Sequence, residues 1–573
     1  MGTPNNGAKN RTIWSVVTTR ASPSHAKNES PVEFQGREVE AIACHHNRGM
    51  SDIVLCTLNA KYIHASLGLR YLLANMGDLQ PKTALCEFTI NRKTEELAAE
   101  LLALNPKIIG FGVYIWNVVP TCALVKLLKT QRPNIKIVLG GPEVSHETLE
   151  QEIVQLSDHV ITGWGDVSFP KLCQTLLYGP KPLMKVIAGE QPPLSEIALP
   201  YALYTDDDLA HRLLYVEASR GCPFKCEFCL SSLDKTAWAF DLELFLGELE
   251  TLYNRGARNF KFVDRTFNLK IDASVRILQF FLDRLTSDLF VHFEVIPDHL
   301  PDKLKDTIAQ FPPGVLQFEV GIQSFNVEVQ QRISRRQDND KTVANLGWLV
   351  NESNAHLHTD LIFGLPGESL QSFGEGFDRL FAIKPHEIQL GILKRLRGTP
   401  IARHTAEHGM VYDALPPYQI QQTNAVNAAD MQRFARLARY WDLVANSGRF
   451  SGAMALLLAT DSPFWAFMSF SDWLWESSPK TIGKTSGITP ENLVDALHAY
   501  LIDVHKLNAE LVTQTLLADY IASGARARPD VLRSLIPKLP LPQVKAGKQL
   551  SQRQNQHTQH HADQFAKIKE LSP

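Results

Sequence analysis

Residues Ser219 to Leu230 read Ser-Arg-Gly-Cys-Pro-Phe-Lys-Cys-Glu-Phe-Cys-Leu, which sets Cys222, Cys226 and Cys229 in a Cys-x-x-x-Cys-x-x-Cys spacing. The apolar run Leu213 to Val216 leads into them and predicts a buried strand. Gly221 and Pro223 flank Cys222, so the strand ends there and the chain turns. The thiols are thus expected on a loop at the C-terminal end of a strand, the end where barrels and open α/β sheets hold ligands. Three thiolates this close suit zinc or an iron–sulfur cluster. A structural zinc site wants a fourth protein ligand, but the next His is His292 and no Cys follows Cys229. A cubane cluster held by three cysteines would leave one iron open. Chance burial of three thiols, or a disulfide among them, is the bland alternative.

The rest of the chain organises around this loop. From Asp52 to Tyr178, strands are expected at Ile53–Thr57, Lys82–Phe88, Ile108–Tyr114, Ile135–Leu139 and His159–Thr162. Helices are expected between them, the last running from His146 to Ser157. That alternation means a parallel, doubly wound sheet. A second run of strands follows at Leu213–Ser219, Asn259–Val263, Val291–Val295, Leu316–Gly321, Leu357–Phe363 and Glu387–Leu393, again separated by helical stretches. Six βα units suit a partial barrel. The Pro-rich stretch between the two regions reads as a linker. Beyond Ala406 the pattern is helical, with Phe434, Leu437, Trp441 and Val444 forming an apolar stripe of the kind that packs in a bundle core.

The fold class expected is therefore α/β, with an added helical region. A disordered extension covers 1–50, a Rossmann-like domain 51–178, a linker 179–211, a partial (β/α)6 barrel 212–405, a helical domain 406–540 and a disordered Gln- and His-rich tail 541–573. Met50 stands directly before the first convincing strand and is an alternative start. Net charge is −3 and charged residues make up 21%, which points to neither nucleic acid nor anionic lipid. No apolar run is long enough to span a bilayer. The eight cysteines are too few for a disulfide scaffold in 573 residues; the five outside the triplet read as isolated apolar residues, and a reducing cytoplasm fits.

Polar groups gather at the expected strand ends of the second region: Asp264-Arg265-Thr266-Phe267-Asn268, Glu294, Glu319, Gln323-Ser324, Asp360, Gly364 to Gly367 and Arg397 to Pro400. A carboxylate inside an apolar strand is costly unless paired. So many on one rim favour a ligand site over separate structural ion pairs.

The cysteine triplet, with Phe228 before its last member, resembles the cluster motif of radical S-adenosylmethionine (SAM) enzymes. In that family the open iron of a [4Fe-4S] cluster binds SAM, and an electron from the cluster cleaves it to methionine and a 5′-deoxyadenosyl radical. The resemblance implies metal ligation by Cys222, Cys226 and Cys229. It implies SAM binding by Phe228, Asp264, Thr266, Asn268, Glu319, Gln323, Ser324, Arg335, Gly364 and Pro366, with no catalytic side chain beyond the cluster. Arg336, adjacent to Arg335, competes for that basic position.

The first domain resembles the cobalamin-binding domain that precedes the barrel in a large branch of the family. The likeness lies in Leu58 to His64, Gly110 to Asn117, Leu139 to Val144 and Gly163 to Pro170. It implies cobalamin contacts from Asn59, His64, Tyr114, Trp116, Asn117, Gly140, Gly141, Glu143, Val144 and Gly163. The Asp-x-His-x-x-Gly motif of other cobalamin proteins is absent, so His64 is not expected to ligate cobalt. Relatives usually carry Gly-Glu-Gly-Glu where this chain has Gly163-Trp164-Gly165-Asp166, so Trp164 is expected to reshape that edge or abolish binding there. The segment from Arg439 to Phe450 resembles a C-terminal domain of unassigned function found in a subset of these enzymes.

The resemblance implies a cobalamin-dependent radical SAM enzyme with three cofactors: the [4Fe-4S] cluster, S-adenosyl-L-methionine and cobalamin. Methyl transfer to an unactivated carbon of a small-molecule or lipid-like substrate is the commonest outcome in the branch, with electrons from a flavodoxin or ferredoxin. Two alternatives stay open. One is a radical SAM oxidoreductase, cyclase or sulfur-inserting enzyme without methyl transfer; the other is a non-catalytic iron–sulfur or zinc scaffold.

Overall fold

The computed structural model describes residues 44–45, 50–180, 182–525 and 527–536. The extension expected over 1–50 falls almost wholly outside these residues, and the tail expected over 541–573 wholly outside. The first sheet has seven strands: β1 (Cys44–His45), β2 (Ile53–Asn59), β3 (Thr83–Thr89), β4 (Ile108–Gly112), β5 (Lys136–Gly140), β6 (His159–Thr162) and β7 (Val186–Ala188), in the order β1-β3-β2-β4-β5-β6-β7. All pairings are parallel except the antiparallel β1–β3 edge. β2 is buried along its whole length, as a strand covered on both faces must be. Helices α2 (Thr94–Ala103), α3 (Val118–Gln131) and α4 (Glu152–Leu156) pack on one face. Helices α1 (Leu67–Ala74) and α5 (Ser168–Tyr178) cover the other.

Three sequence expectations fail here. β7 comes from the stretch read as a linker; its three partly exposed residues carry no periodic signal and gain strand form by pairing with β6. The helix expected over 146–157 is broken into a 3-10 turn, Thr148–Glu150, and the short α4. Gln151 holds the break: its amide donates to the carbonyls of Glu143 and His146 at 2.9 and 3.0 Å, the second a group that a continuous helix would use itself. Among the scattered cysteines, Cys56 and Cys173 are buried free thiols, but Cys86 is disulfide-bonded, which corrects its reading as an isolated residue.

Gly141 closes β5 with φ 104°, and a Cβ there would lie 2.5 Å from the Val113 carbonyl oxygen. Gly141→Ala is expected to cost about 1–3 kcal/mol, read as a lower urea midpoint at unchanged slope.

The last helix before the second region, α6 (Asp206–His211), brings Asp208 into a ring of alternating charge with Arg70, Glu87 and Arg212. Arg70 meets Glu87 at 2.9 Å and Asp208 at 2.8 Å; Arg212 meets the same two carboxylates at 2.7 and 3.0 Å. All four side chains are at most 3% exposed. The ring joins α1, β3 and the approach to the second sheet.

That second sheet starts with β8 (Leu214–Val216). A two-stranded ribbon, β9 (Ser219–Arg220) with β10 (Trp238–Ala239), then clasps the cysteine loop. β11 (Asn259–Phe262), β12 (Phe290–Val295), β13 (Leu316–Gln323), β14 (His356–Phe363) and β15 (Glu387–Ile392) follow in strict sequential order, all parallel. Among the described residues β15 does not pair with β8, so the barrel is open. Phe260, Phe262, Phe293 and Phe318 lie in the outer core. The register aligns Lys261 with His292, Glu294 with Glu319 and Glu319 with His358, so period-two alternation turns a charged row into the lumen.

The exposed edge of β15 is closed by the helical region. Asn446 and Trp441, at the end of the helix Ala428–Val444, bond the backbone of Ile388: Asn446 Oδ1 accepts its N–H at 3.1 Å, while Asn446 Nδ2 and Trp441 Nε1 each donate to its carbonyl at 3.0 Å. Phe434, Leu437 and Val444 on the same helix are in the core. No described helix is long and apolar enough to cross a membrane.

Candidate active site

The ribbon fixes the cysteine loop at its mouth. The Cys222 N–H donates to the Asp234 carbonyl at 2.9 Å, and the Cys229 N–H to the Cys226 carbonyl at 3.1 Å. All three thiols are free and line one cavity of about 250 Å³ at the C-terminal end of the barrel strands. Phe228, Thr266, Glu319, Gln323 and Arg335 line it with them. Burial pushes the Cys222 and Cys226 thiols up; Arg265 opposes this at Cys222 and Arg335 at Cys226. Arg335, rather than Arg336, is the guanidinium on the sulfur, 3.7 Å from Cys226 Sγ and braced by Gln337.

Further groups complete the cavity: Arg265, Glu294 and Asp360, already among the polar groups at the strand ends, and Asp298 and Gln337, which strand-end position did not single out. Arg265 forks onto both oxygens of Glu294 at 2.6 and 2.8 Å. Asp298, Gln337 and Asp360 also face in. Burial raises Glu319 as well, but His292 at 3.3 Å and Lys261 at 3.5 Å hold its carboxyl down at about 2. Asp360 goes the other way, lifted well above the usual carboxylate range by burial and by Glu319 and Glu294.

Five residues expected at SAM lie outside this cavity. Asp264 is buried beneath the ribbon, accepting from Ala218 N at 2.9 Å and Ser219 Oγ at 2.5 Å, and burial raises it to about 7. Asn268 bonds both backbone groups of Ile296, whose loop walls the cavity. Ser324 donates to Glu368, a carboxyl that burial lifts to about 8. Gly364, at φ 88°, packs on Ile420, and Pro366 is buried behind it. Sequence position placed these residues on the rim, but whether each side chain turns inward or into the supporting structure depends on loop backbones it does not reveal.

A second cavity, of about 310 Å³, opens beside the point where strand order reverses, at the C-terminal ends of β4, β5 and β6. Tyr114, Gly140, Gly141 and Gly163 line it, with α1 and Phe169. The other residues expected at cobalamin do not. Asn59 bonds Glu87 and the His64 carbonyl, and Asn117 ties the ends of β2 and β4 together. His64 pairs with Tyr215 at 2.8 Å, and Trp116 is half exposed, stacked on Tyr114. Val144 is core, and Glu143 is held by Arg397 at 2.9 Å and Tyr418 at 2.7 Å. Trp164 forms part of the cavity wall, and its indole N–H donates to Asp234 at 2.7 Å, the residue whose carbonyl holds Cys222. Glu217 and Arg220, just ahead of the cysteines, also line this cavity; Arg220 pairs with Glu217 at 2.7 Å and Asp166 at 3.0 Å and lies over the Trp164 ring.

Comparison with known proteins matches the same two regions. The B12 binding domain model covers residues 53–173 and the Radical SAM superfamily model residues 216–380. The chain therefore carries a B12 binding domain followed by a radical SAM domain. A third model, a protein family of unknown function (DUF4080), covers residues 406–572. It is 28% identical over 249 residues to an uncharacterized methyltransferase of Pyrococcus horikoshii, covering 38% of this chain and 53% of that one. It is 26% identical over 326 residues to the cobalamin-dependent radical SAM methyltransferase TokK of Streptomyces tokunonensis, covering 51% and 47%. The chain thus spans about half the length of these curated relatives. Its fold is also that of the cobalamin-dependent SAM radical enzyme OxsB, at TM-score 0.55, 13% identity and coverage of 90% and 84%.

Proposed function

We propose that this protein is a cobalamin-dependent radical SAM methyltransferase acting on an unactivated carbon of a small-molecule or lipid-like substrate. One observation carries the reading. The three-thiol cavity and the sheet-switch crevice are joined by a short bonded path, with Glu217 and Arg220 lining the crevice and Trp164 reaching Asp234 at the cysteine loop. The methyltransferase names of two relatives supply the reaction class.

The donor set fits the family's cofactors. Three free thiols without a fourth cysteine on the loop suit a cluster with one open iron. The crevice, with apolar walls and glycine backbone at three strand ends, suits an appendage of a cobalamin; at about 310 Å³ it would not take the whole cofactor. When bound, cluster and SAM supply one-electron reductive cleavage, and cobalamin a transferable methyl group. The chain's own residues position and shield. Arg335 and Arg265 offset negative charge at the cysteines; Glu319, Thr266 and Gln323 offer polar contacts to SAM, and Phe228 shapes the wall beside it. The charged lumen row gives a polar substrate groups to bind. A flavodoxin- or ferredoxin-like protein would deliver the electron.

Anaerobic reconstitution with iron, sulfide and cobalamin tests this. About four iron per chain, cobalt equal to the chain, and SAM cleaved on reduction are expected. Iron without cobalt would remove methyl transfer from the reading; zinc with no SAM cleavage would remove the enzyme.

A further inference from the structure

The chain that leaves β15 carries His404, Glu407 and His408 on one side of a tight turn, where the His408 N–H donates to the His404 carbonyl at 3.0 Å. Positions i, i+3 and i+4 share a face in such a turn, and a ligand atom from each of the three lies within 4.8 Å of the others. Two imidazoles and a carboxylate form a donor set of zinc sites that leave a fourth position for water.

A second observation makes this more than a cluster of polar groups. Glu227, between two of the cluster cysteines in sequence, is 2% exposed, and its carboxylate is fully engaged. Oε1 accepts from Ser334 Oγ at 2.6 Å and from Arg403; Oε2 faces His404 Nε2 at 2.8 Å. Arg403 and Ser334 occupy one oxygen of Glu227, and the other holds the His404 ring at Nε2, which the Arg403 guanidinium also approaches at 3.5 Å. Nδ1 is the ring nitrogen outside those contacts. A buried carboxylate that fixes the tautomer and tilt of an imidazole is the usual support of a metal-bound histidine. Glu407 is 79% exposed, so its carboxylate can swing onto an ion; its His408 contact is 3.9 Å long. Arg332, the cation facing His408, is neutralised by Glu328 at 3.0 Å.

We propose that His404, Glu407 and His408 bind a divalent zinc-type ion, with Glu227 orienting His404. The site is separate from the three-cysteine cavity, and the proposal does not rest on the methyltransferase reading. Glu227 also anchors the cysteine loop through its backbone, donating to Ile333 and accepting from Ile401, both at 3.0 Å. Metal at this site would therefore clamp the segment after β15 to the cluster loop.

The test uses the full-length, cluster-reconstituted protein dialysed against zinc sulfate, read by metal analysis and zinc K-edge absorption. Stoichiometric zinc beside an unchanged iron content is expected, with nitrogen and oxygen neighbours at about 2.0–2.1 Å. His408→Ala should lose that zinc and keep its iron. Glu407→Gln, a change on an exposed side chain, should weaken binding even if the His408 variant misfolds. Glu227→Gln should lower zinc affinity about 10–100-fold. Sulfur neighbours at about 2.3 Å would put zinc on the cysteines and overturn the proposal. So would absence of bound zinc, or full zinc retention in Glu407→Gln and His408→Ala.

Discussion

Cys226→Ala is expected to yield a folded protein that assembles no cluster and cleaves no SAM. The fold survives because the loop is held by backbone and neighbouring bonds rather than by sulfur. The Cys222 N–H to Asp234, the Glu227 N–H to Ile333 and the β9–β10 pairing all remain. The site does not survive, because the cavity presents three thiols and among its other lining residues there is no cysteine or histidine to take the place of one. Iron should fall from about four per chain to background, and reductive SAM cleavage should vanish rather than weaken. Cys173→Ala is the matched control. Its thiol is buried in the first domain and driven upward by burial alone, so the variant should keep its iron. Full iron in Cys226→Ala, measured by metal analysis and by absorption before and after reduction, would remove the three-cysteine site.

Glu87→Leu is expected to be the most destabilising substitution outside the cavities, at about 3–5 kcal/mol. It would strand Arg70 and Arg212, both buried, with Asp208 as their remaining carboxylate in the ring, and would free the Ser66 N–H that Glu87 accepts at 2.5 Å. The measurement is a urea transition with the slope compared, so that a change in midpoint reports stability. The same ring sets an acid limit. Burial would raise Asp208, but Arg70 and its other partners hold it at about 2, against an ordinary 3.8. Glu87 is lowered for the same reasons, by Arg70 and Arg212. A carboxylate depressed in the folded state stabilises above its unfolded value, and that stability is lost as pH falls through the folded one. For Asp208 the loss runs from pH 3.8 towards 2 and amounts to about 2 kcal/mol. Asp208→Asn should flatten this limb of the stability curve while lowering the plateau at neutral pH.

Much of the architecture was legible before any coordinate. Strands such as β2, expected over Ile53–Thr57 and found over Ile53–Asn59, and β13, expected over Leu316–Gly321 and found over Leu316–Gln323, announce themselves by their apolar runs, and the Gly-Cys-Pro turn marks where β8 must give way to a loop. What stayed hidden was weakly patterned. β7 is three residues that become a strand by pairing with β6, and the broken helix at 146–157 depends on one amide side chain, Gln151. In the candidate sites, residue type and strand-end position pointed to the cysteines, Glu319 and the glycines of the crevice, and the family resemblance pointed to Arg335. They did not separate Thr266, which faces the cavity, from Asn268, two residues on, which holds a loop.

By itself, then, the sequence determined the order of domains, the strand count of the barrel and the three thiols. These are properties of local spacing and periodicity, which act over a few residues. Only the tertiary structure decided which polar groups share a cavity. It turned Glu143 and Val144 away from the crevice, made Trp164 a strut to the cysteine loop, and set Glu227 behind His404. Those outcomes depend on contacts between residues 70 to more than 250 positions apart, where direction and distance are set by how two sheets pack, and no local pattern encodes that.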